Sequence, residues 1–332
     1  MMRRIAHSAP SIGDAEVRAA ERVLRSGHLA QGAEVAAFEE ECAGVVGRRY
    51  AVAVNSGTAA LHLALAALGI QDEQPVAMPA YACAALLSAI HLHNARPWLC
   101  DVTPNHTLDA SALPEDARAA IAVHLFGAPA AIPAGTSVVE DIAQSIGGGT
   151  GSHGQVAVAS FYATKLVTTG EGGMVFTDDE GLAEFVRDRR DYDNRDDFIQ
   201  RYNYKMTDLQ AAIGREQLRR LPAFIAARRA IAARYNEAFA GLPVDRPADG
   251  TEHVYFRYVI GVDERERLEG FLGKRGIEAK RPVYRPAHHY LGGDFPRAER
   301  AHRRCLSLPI YPKLVDTDVA YVIESVQAFW GV

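Results

Sequence analysis

The sequence predicts an α/β protein in which a mainly parallel sheet forms the core of a large domain, followed by a smaller α+β domain. Several short apolar runs in the first two thirds are continuously apolar, which is typical of strands covered on both faces. Longer helical patterns separate the runs, and strands that alternate with helices form parallel sheets with right-handed crossovers. The predicted strands are residues 51–54, 76–78, 97–101, 121–125, 137–139, 157–161 and 174–177.

The helical patterns complete this order of elements. The 50 residues before the first strand read as two amphipathic helices, and the run 59–68 has a leucine face that ends at Gly69. With 332 residues, the chain has room for about two domains. We place the boundary near Asn236, which gives a large domain of residues 1–235 and a small domain of residues 236–332. Around this boundary we predict a long helix over 222–240, an extended run over 253–262, a charged helix near 264–275 and a last helix over 316–330.

Composition and charge exclude several classes of protein. The 36 lysine and arginine residues against 41 aspartate and glutamate residues give a formal net charge of −5, so we expect no nucleic-acid partner. The four cysteines lie far apart and form no Cys-x-x-Cys pair or Cys/His cluster, which predicts reduced thiols in a cytoplasmic protein and no metal site. We find no apolar stretch suited to a signal peptide or a membrane span.

Two segments that follow predicted strands carry polar groups at the edge where open α/β sheets bind ligands. In residues 55–60 (NSGTAA) a glycine turn opens a helix, whose free N–H groups and the Thr58 hydroxyl suit a phosphate or a carboxylate. The alternative is an ordinary Ser/Thr helix cap. In residues 138–144 (VVEDIAQ) the carboxylate of Asp141 is suited to a metal, a ribose hydroxyl or a protonated ring nitrogen. The alternative is an aspartate that caps the following turn.

A third segment, residues 160–173, places Lys165 among small and hydroxyl residues before a glycine-rich turn. A half-buried lysine pairs with an acid or has a lowered pKa that frees its amine for nucleophilic chemistry. Taken alone, an exposed loop lysine is the competing interpretation. Together, the three segments match what pyridoxal 5′-phosphate (PLP) requires. The cradle would hold its phosphate, Asp141 would keep the ring nitrogen protonated, and Lys165 would bond to the aldehyde.

These segments resemble the DegT/StrS family of PLP-dependent (nucleotide-)sugar aminotransferases, which has the aspartate-aminotransferase fold (PLP fold type I). The resemblance runs through most of the chain and is most specific in the lysine segment with GEGG and in YNYKMTDLQAA from Tyr202. It implies a homodimer with shared active sites. It also implies that Lys165 is the Schiff-base lysine, Asp141 the partner of the ring nitrogen, Gln144 a neighbour of the ring hydroxyl, Thr58, Ala59 and Ser160 the phosphate cradle, and Asn203 a ligand to the phosphate of the neighbouring subunit's cofactor.

The sequence departs from the family pattern in two places. Residues 147–154 form a shorter stretch than in the many members that carry a small hairpin there. Residues 79–83 align loosely with the place where many members put an aromatic side chain on the cofactor ring. Cys83 is nearest to that position, and Tyr81 is the alternative. The residue that covers the ring therefore stays open between these two.

The resemblance implies transfer of an amino group from glutamate or glutamine to a keto-sugar, namely a nucleotide-linked 3- or 4-keto-deoxysugar. The two half-reactions would follow a ping-pong order. The alternatives are an aminotransferase for a cyclitol or another non-nucleotide keto compound, and a non-catalytic PLP-binding regulatory protein. Arginines between residues 187 and 201 interleave with aspartates, which predicts a solvated salt-bridge face. Tyrosines suited to base stacking accompany a second basic group, which makes that group the better candidate for substrate contact: Lys280, Arg281, Arg285, His288 and His289, with Tyr284 and Tyr290.

Overall fold

The computed structural model describes residues 4–248, 250 and 252–332. The chain begins with two helices, α1 (Asp14–Ser26) and α2 (Ala33–Val46), as predicted. Each ends at a glycine, Gly27 with φ 75° and Gly47 with φ 78°. This left-handed conformation costs glycine little because glycine has no Cβ. The positions of the two glycines in the sequence therefore determine where the helices end.

In the described part of the chain, seven strands form the central sheet in the order β1-β7-β6-β5-β4-β2-β3. Strand β7 runs antiparallel to both of its neighbours, and the other neighbouring pairs are parallel. The predicted mainly parallel sheet is confirmed, with each strand within two residues of its expected start. The strands are β1 (Tyr50–Val54), β2 (Pro75–Pro79), β3 (Arg96–Cys100), β4 (Ala119–Val123), β5 (Ser137–Asp141), β6 (Val156–Ser160) and β7 (Gly173–Thr177).

Helices cover both faces of this sheet. Alternate residues of β1 and β6 belong to different apolar clusters: Val52 and Val158 lie in one, and Ala53 and Ala159 in the other. Since successive side chains of a strand point to opposite faces, the two clusters lie on opposite sides of the sheet. This double cover explains why the strands read as continuous apolar runs. The helices inserted between strands are α3 (Gly57–Ala67), α4 (Ala84–His91) and α5 (Glu180–Arg189).

The long connecting helix begins earlier than its sequence pattern indicated. Helix α6 (Asp208–Ala238) contains Pro222, whereas the predicted helix started at that proline and ended at residue 240. The predicted start was wrong because proline favours the first turn of a helix, where its missing N–H costs nothing. The true start is capped by Thr207, whose side chain accepts the N–H of Gln210, and Gln210 completes a capping box.

The C-terminal part forms a smaller unit around a two-stranded antiparallel sheet of β8 (Tyr258–Gly261) and β9 (Cys305–Leu308). The predicted extended run over 253–262 thus contributes only a four-residue strand. The charged helix and the last helix are found close to their predicted bounds. The helices of this unit are α7 (Arg265–Lys274), α8 (His288–Leu291), α9 (Pro296–Arg304) and α10 (Asp316–Phe329).

A third apolar cluster lies within this C-terminal unit and includes side chains from both ends of the chain. Ile5 joins it and pairs with Ile277 through a backbone bridge. Helix α6 contributes Leu221 to the cluster on the sheet and Tyr235 to the C-terminal cluster. The division into residues 1–235 and 236–332 stays a prediction. In the described residues, no helix combines the length and apolarity that crossing a membrane requires.

Candidate active site

Asp141 and Lys165 lie in the wall of the same cavity, which has a volume of about 490 Å³. Asp141 is the last residue of β5, and Lys165 follows β6, its parallel neighbour, in the turn that leads to β7. The backbone N–H of Lys165 donates to the carbonyl oxygen of Tyr162 at 2.9 Å, which closes this turn. The carboxyl ends of neighbouring parallel strands meet at one edge of a sheet, so the two side chains reach the same space.

Burial shifts the pKa values of both groups. Burial raises the pKa of Asp141, against the N–H of Ala143 at 2.9 Å and the charge of Lys165, which lower it. Burial lowers the pKa of Lys165, and the carboxylate of Asp141 opposes this shift. The Lys165 Nζ lies 5.2 Å from the ring centroid of Phe256, within cation–π range. A lowered pKa increases the neutral fraction of the amine, which is the form that attacks a carbonyl carbon.

The amino end of α3 forms another part of the cavity wall. Ser56 caps this helix, and its Oγ accepts the N–H of Ala59 at 3.1 Å. Ser56, Gly57 and Thr58 line the cavity together with Ser160, the last residue of β6. A Cβ added at Gly57 would lie 2.7 Å from the Cβ of Ser160, so only glycine permits this close approach. The helix N-terminus and the two hydroxyl side chains form a pocket suited to an anion.

The predicted cradle residues therefore take different places. Thr58 and Ser160 lie in the cavity wall, as expected. Ala59 is buried beside it, and its N–H is already engaged by the Ser56 side chain. Gly57, which the sequence analysis did not single out for binding, stands at the closest point of the cradle. The glycine in NSGTAA was the signal for it, because a glycine at the first turn permits a close backbone approach.

Gln144 lines the cavity and joins two of its loops. Its Oε1 accepts the backbone N–H of Phe126 at 2.8 Å, which links the loop after β5 to the loop after β4. Phe126 is held with φ 61°, an unusual conformation for an aromatic residue. The side-chain amide nitrogen of Gln144 is the group that remains for a ligand.

Of the two candidates for the cofactor ring, Cys83 lies in the cavity wall. Tyr81 is fully buried behind it, with edge-on contacts to His106 and Phe126 at centroid distances of 5.8 Å and 6.4 Å. Burial raises the pKa of the Cys83 thiol, and the neighbouring Asp141 charge adds to the shift. Cys83 therefore presents a neutral thiol to the cavity.

Asn203 lies away from this cavity in its own chain. Its side chain is exposed, and its carbonyl oxygen accepts a hydrogen bond from Asn55 Nδ2 at 3.0 Å. The neighbouring Tyr204 carbonyl accepts the N–H of Asn55 at 2.8 Å, so the segment is tied to the turn just before α3. An exposed position is what a residue that serves another subunit requires.

Glu140, which the sequence analysis left without a role, is fully buried next to Asp141. Its carboxylate accepts the N–H groups of Gly151, His153 and Gly154 at 2.9, 2.6 and 2.5 Å and contacts His124 Nε2 at 3.1 Å. Burial alone would raise the pKa of Glu140, but these donors lower it to about 2. The signal was a charged residue inside an apolar strand, because a buried carboxylate needs donors.

The two basic groups singled out in the sequence lie in different surroundings. Arg189, Arg195 and Arg201 all lie within 4 Å of Asp188, as the predicted salt-bridge face requires. Arg190 departs from that prediction, because it is buried and pairs with Glu39. In the second group, the side chains that line the cavity are Tyr284, Arg285 and Tyr290. The remaining members have partners elsewhere: Lys280 with Glu278, Arg281 with His302, and His288 and His289 with Glu299.

Comparison with known proteins identifies the family. The model of the DegT/DnrJ/EryC1/StrS aminotransferase family matches residues 10–327, which is nearly the whole chain. The chain belongs to this family. The resemblance inferred from the lysine segment and from YNYKMTDLQAA is thereby confirmed, and so is the expectation of an aminotransferase.

Individual members of the family are similar to this chain over nearly their whole length. The spore coat polysaccharide biosynthesis protein SpsC of Bacillus subtilis is 34% identical, over 97% of this chain and 96% of the relative. The crystal structure of DesV of S. venezuelae in complex with a ketimine intermediate has 33% identity and a TM-score of 0.90, and covers 96% of this chain and 94% of its own. The PLP-form of Spr1654 of Streptococcus pneumoniae has 26% identity and a TM-score of 0.89, and covers 98% of both chains.

Proposed function

We propose that this chain is a PLP-dependent aminotransferase that transfers an amino group from glutamate or glutamine to a nucleotide-linked keto-sugar. The observation that carries the proposal is the shared cavity of Asp141, Lys165 and the amino end of α3. It offers an acid, a sheltered amine and an anion pocket within one space. The names of SpsC, a polysaccharide biosynthesis protein, and of the PLP-form of Spr1654 support the sugar and the cofactor.

The residues present fit PLP. The close approach of Gly57 to Ser160 leaves a cradle that a Cβ would fill, with helix N–H groups and the Thr58 hydroxyl for the phosphate. The buried carboxylate of Asp141 would face the pyridine nitrogen, Gln144 would face the ring hydroxyl, and the neutral thiol of Cys83 would cover a ring face. When bound, PLP supplies an electron-poor ring that stabilises negative charge on the carbon next to the amino group.

Lys165 would hold the cofactor and move the proton. Its lowered pKa leaves the Nζ neutral more often than in an exposed lysine, so that Lys165 would be able to accept a proton and give it back beside the bound cofactor. The Asp141 charge opposes this lowering of the Lys165 pKa. The Phe256 ring lies over the amine, with its centroid 5.2 Å from Nζ.

The mouth of the cavity suits an aromatic, charged substrate. Tyr284 is 90% exposed, and the guanidinium carbon of Arg285 lies 4.5 Å from the ring centroid of Tyr290. A nucleotide base would stack on these tyrosines, and the guanidinium would contact the diphosphate. We further propose a homodimer in which Asn203 reaches the phosphate in the neighbouring subunit's cavity. Its exposure and its link to the turn before α3 support this role.

The experiment supplies the purified protein with PLP, glutamate or glutamine, and a panel of nucleotide-linked 3- and 4-keto-sugars. Mass spectrometry detects the aminated sugar and the keto acid released from the donor. We expect one nucleotide-linked sugar to be aminated with release of one keto acid. Amination of a keto-cyclitol or a free keto-sugar in preference to all nucleotide-linked ones would overturn the substrate class, and absence of keto-acid release with every acceptor would overturn the aminotransferase.

A further inference from the structure

Three metal-ligating side chains meet where α8 and α9 approach each other. One ring nitrogen each of His288 and His289 and a carboxylate oxygen of Glu299 all lie within 4.8 Å of one another. The Nε2 of His288 is 3.2 Å and that of His289 is 2.7 Å from the same oxygen, Oε2. Two imidazoles therefore converge on a single carboxylate oxygen, outside the residues assigned to the aminotransferase reaction.

The hydrogen bond on the far side of His288 fixes what its Nε2 offers. The Nδ1 of His288 lies 3.0 Å from the carbonyl oxygen of Ala80. A carbonyl oxygen only accepts, so Nδ1 carries the proton, and in the neutral ring Nε2 carries a lone pair. That lone pair faces Glu299 Oε2, another acceptor. Two acceptor atoms at this distance repel each other unless a positive charge lies between His288 Nε2 and Glu299 Oε2. That charge is either a second proton on the His288 ring or a metal ion.

The two distances are those of direct hydrogen bonds, and they are also close to the spacing of ligand atoms around a metal ion. Zinc binds histidine nitrogen and carboxylate oxygen at about 2.0–2.1 Å, which puts two ligand atoms of a tetrahedral site about 3.3 Å apart. The 3.2 Å between His288 Nε2 and Glu299 Oε2 is close to that edge, and the 2.7 Å at His289 requires the two atoms to move apart by roughly 0.6 Å. The backbone acceptor at His288 Nδ1 is the outer-shell contact that metal-bound histidines make.

A third histidine, His302, lies beside this group of two histidines and one glutamate. The rings of His289 and His302 have centroids 4.6 Å apart, and His302 is 6% exposed. Its Nε2 accepts from Arg281 at 2.9 Å, while its Nδ1 is buried without a hydrogen-bond partner among the described residues. The polar groups here are therefore incompletely satisfied by the protein. The side chain of His289 is 33% exposed, so the cluster has an opening to solvent.

We propose that His288, His289 and Glu299 bind one zinc ion, with the fourth position open to water or a further ligand. The site would be structural for the cavity wall. Ala287 N–H donates to the carbonyl oxygen of Ala82 at 3.0 Å, next to Cys83, and Tyr290 in the same short helix lines the cavity. A metal ion would fix α8 to α9 and so hold this side of the cavity in place. The inference does not depend on the proposed substrate.

Metal titration tests the site directly. The intact chain, without a histidine tag, is dialysed against chelator and titrated with zinc sulfate by calorimetry. We expect one zinc ion per chain, and at least about 100-fold weaker binding in Glu299→Gln and in His289→Gln, since even an outer-shell change costs about 10–100-fold. Zinc is also expected to slow hydrogen exchange of residues 286–299 in the wild type and not in the variants.

Two exposed residues that are far from the cluster in sequence serve as matched controls. His28 lies between α1 and α2, and Glu184 lies in α5. His28→Gln and Glu184→Gln should bind zinc like the wild type. The proposal is overturned if the wild type binds no zinc, or if His289→Gln binds it with unchanged stoichiometry and affinity. His289 is partly exposed, so this variant decides the question even if Glu299→Gln does not fold.

Discussion

Glu140 and Asp141 are adjacent in the chain, yet the protein shifts their pKa values in opposite directions. Donors on the loop over residues 151–154 and on His124 lower the pKa of Glu140 to about 2, whereas burial raises the pKa of Asp141. Successive residues of a strand point to opposite faces, so one carboxyl group enters a hydrogen-bonded loop and the other enters the cavity. One strand end thereby supplies both a structural anion and the carboxyl group that we propose binds the cofactor.

Replacement of Glu140 by Gln should lower stability in a pH-dependent way. The folded-state pKa of about 2 lies below the usual 4.5. Between these values the unfolded state binds more protons, so this contribution is complete above pH 4.5 and is lost as the pH falls toward 2. We expect Glu140→Gln to lower the free energy of unfolding at pH 7 by about 3 kcal/mol. Urea unfolding at fixed protein concentration measures it.

The matched control for this change is Glu184→Gln, at an exposed position of α5. It should alter the free energy of unfolding by no more than about 0.5 kcal/mol. The deficit of Glu140→Gln should also shrink as the pH falls below 4.5. A deficit that stays constant down to pH 3 would show that the Glu140 carboxylate is not the titrating group.

Replacement of Lys165 by Ala should abolish turnover. We expect activity to fall by more than about 10³-fold, because we propose that the amine is both the attachment point of the cofactor and the proton carrier. Borohydride treatment of the wild type with PLP, followed by peptide mapping, should place the reduced adduct on Lys165. Lys274→Ala, at an exposed position in α7, should keep activity and adduct. An adduct on any other lysine contradicts the assignment.

Replacement of Gly57 by Ala should weaken cofactor binding. The new Cβ would lie 2.7 Å from Ser160 Cβ, so the amino end of α3 must move away from the phosphate cradle. We expect the Kd for PLP, followed by its absorbance, to rise about 10-fold or more. Gly44→Ala in α2, where an added Cβ meets nothing within 4 Å, is the control and should leave the Kd unchanged. Equal Kd values in both variants would argue against the cradle.

Mixing of two inactive variants tests whether Asn203 acts across subunits. In a heterodimer of Lys165→Ala and Asn203→Ala, one cavity combines an intact Lys165 with an intact Asn203 from the other chain. Exchange of subunits should therefore restore activity. At equal mixing about half of the dimers are heterodimers with one intact cavity each, so activity should reach up to about a quarter of the wild-type value. If Asn203 serves its own chain, both cavities of the heterodimer stay defective, and the mixture gains no activity.

The sheet and the placement of Asp141 and Lys165 in one cavity could be predicted because both follow from local patterns. Doubly covered strands read as apolar runs, and polar residues after parallel strands gather at one sheet edge. The start of α6 could not be read in this way, since Pro222 looks like a first-turn proline and the tertiary packing keeps the helix continuous through it.

Contacts that depend on the paths of loops could not be predicted from the sequence either. Whether Tyr81 or Cys83 faces the cavity depends on how residues 80–83 turn after β2. The hydrophobic periodicity of the sequence does not predict the path of such a turn. His289 and Glu299 are ten positions apart on different helices, a spacing with no helical or strand repeat, so their meeting depends on the turn over residues 292–295. The engagement of the Ala59 N–H by Ser56 likewise appears only in three dimensions.

Helix α6 sends Leu221 into the packing beneath the sheet and Tyr235 into the packing of the C-terminal unit. One continuous helix of 31 residues therefore contributes to both apolar clusters. Unfolding of either cluster would disrupt the helix against which the other cluster packs. Heat should accordingly melt the two interiors as a single cooperative event, so a calorimetric scan would show one endotherm.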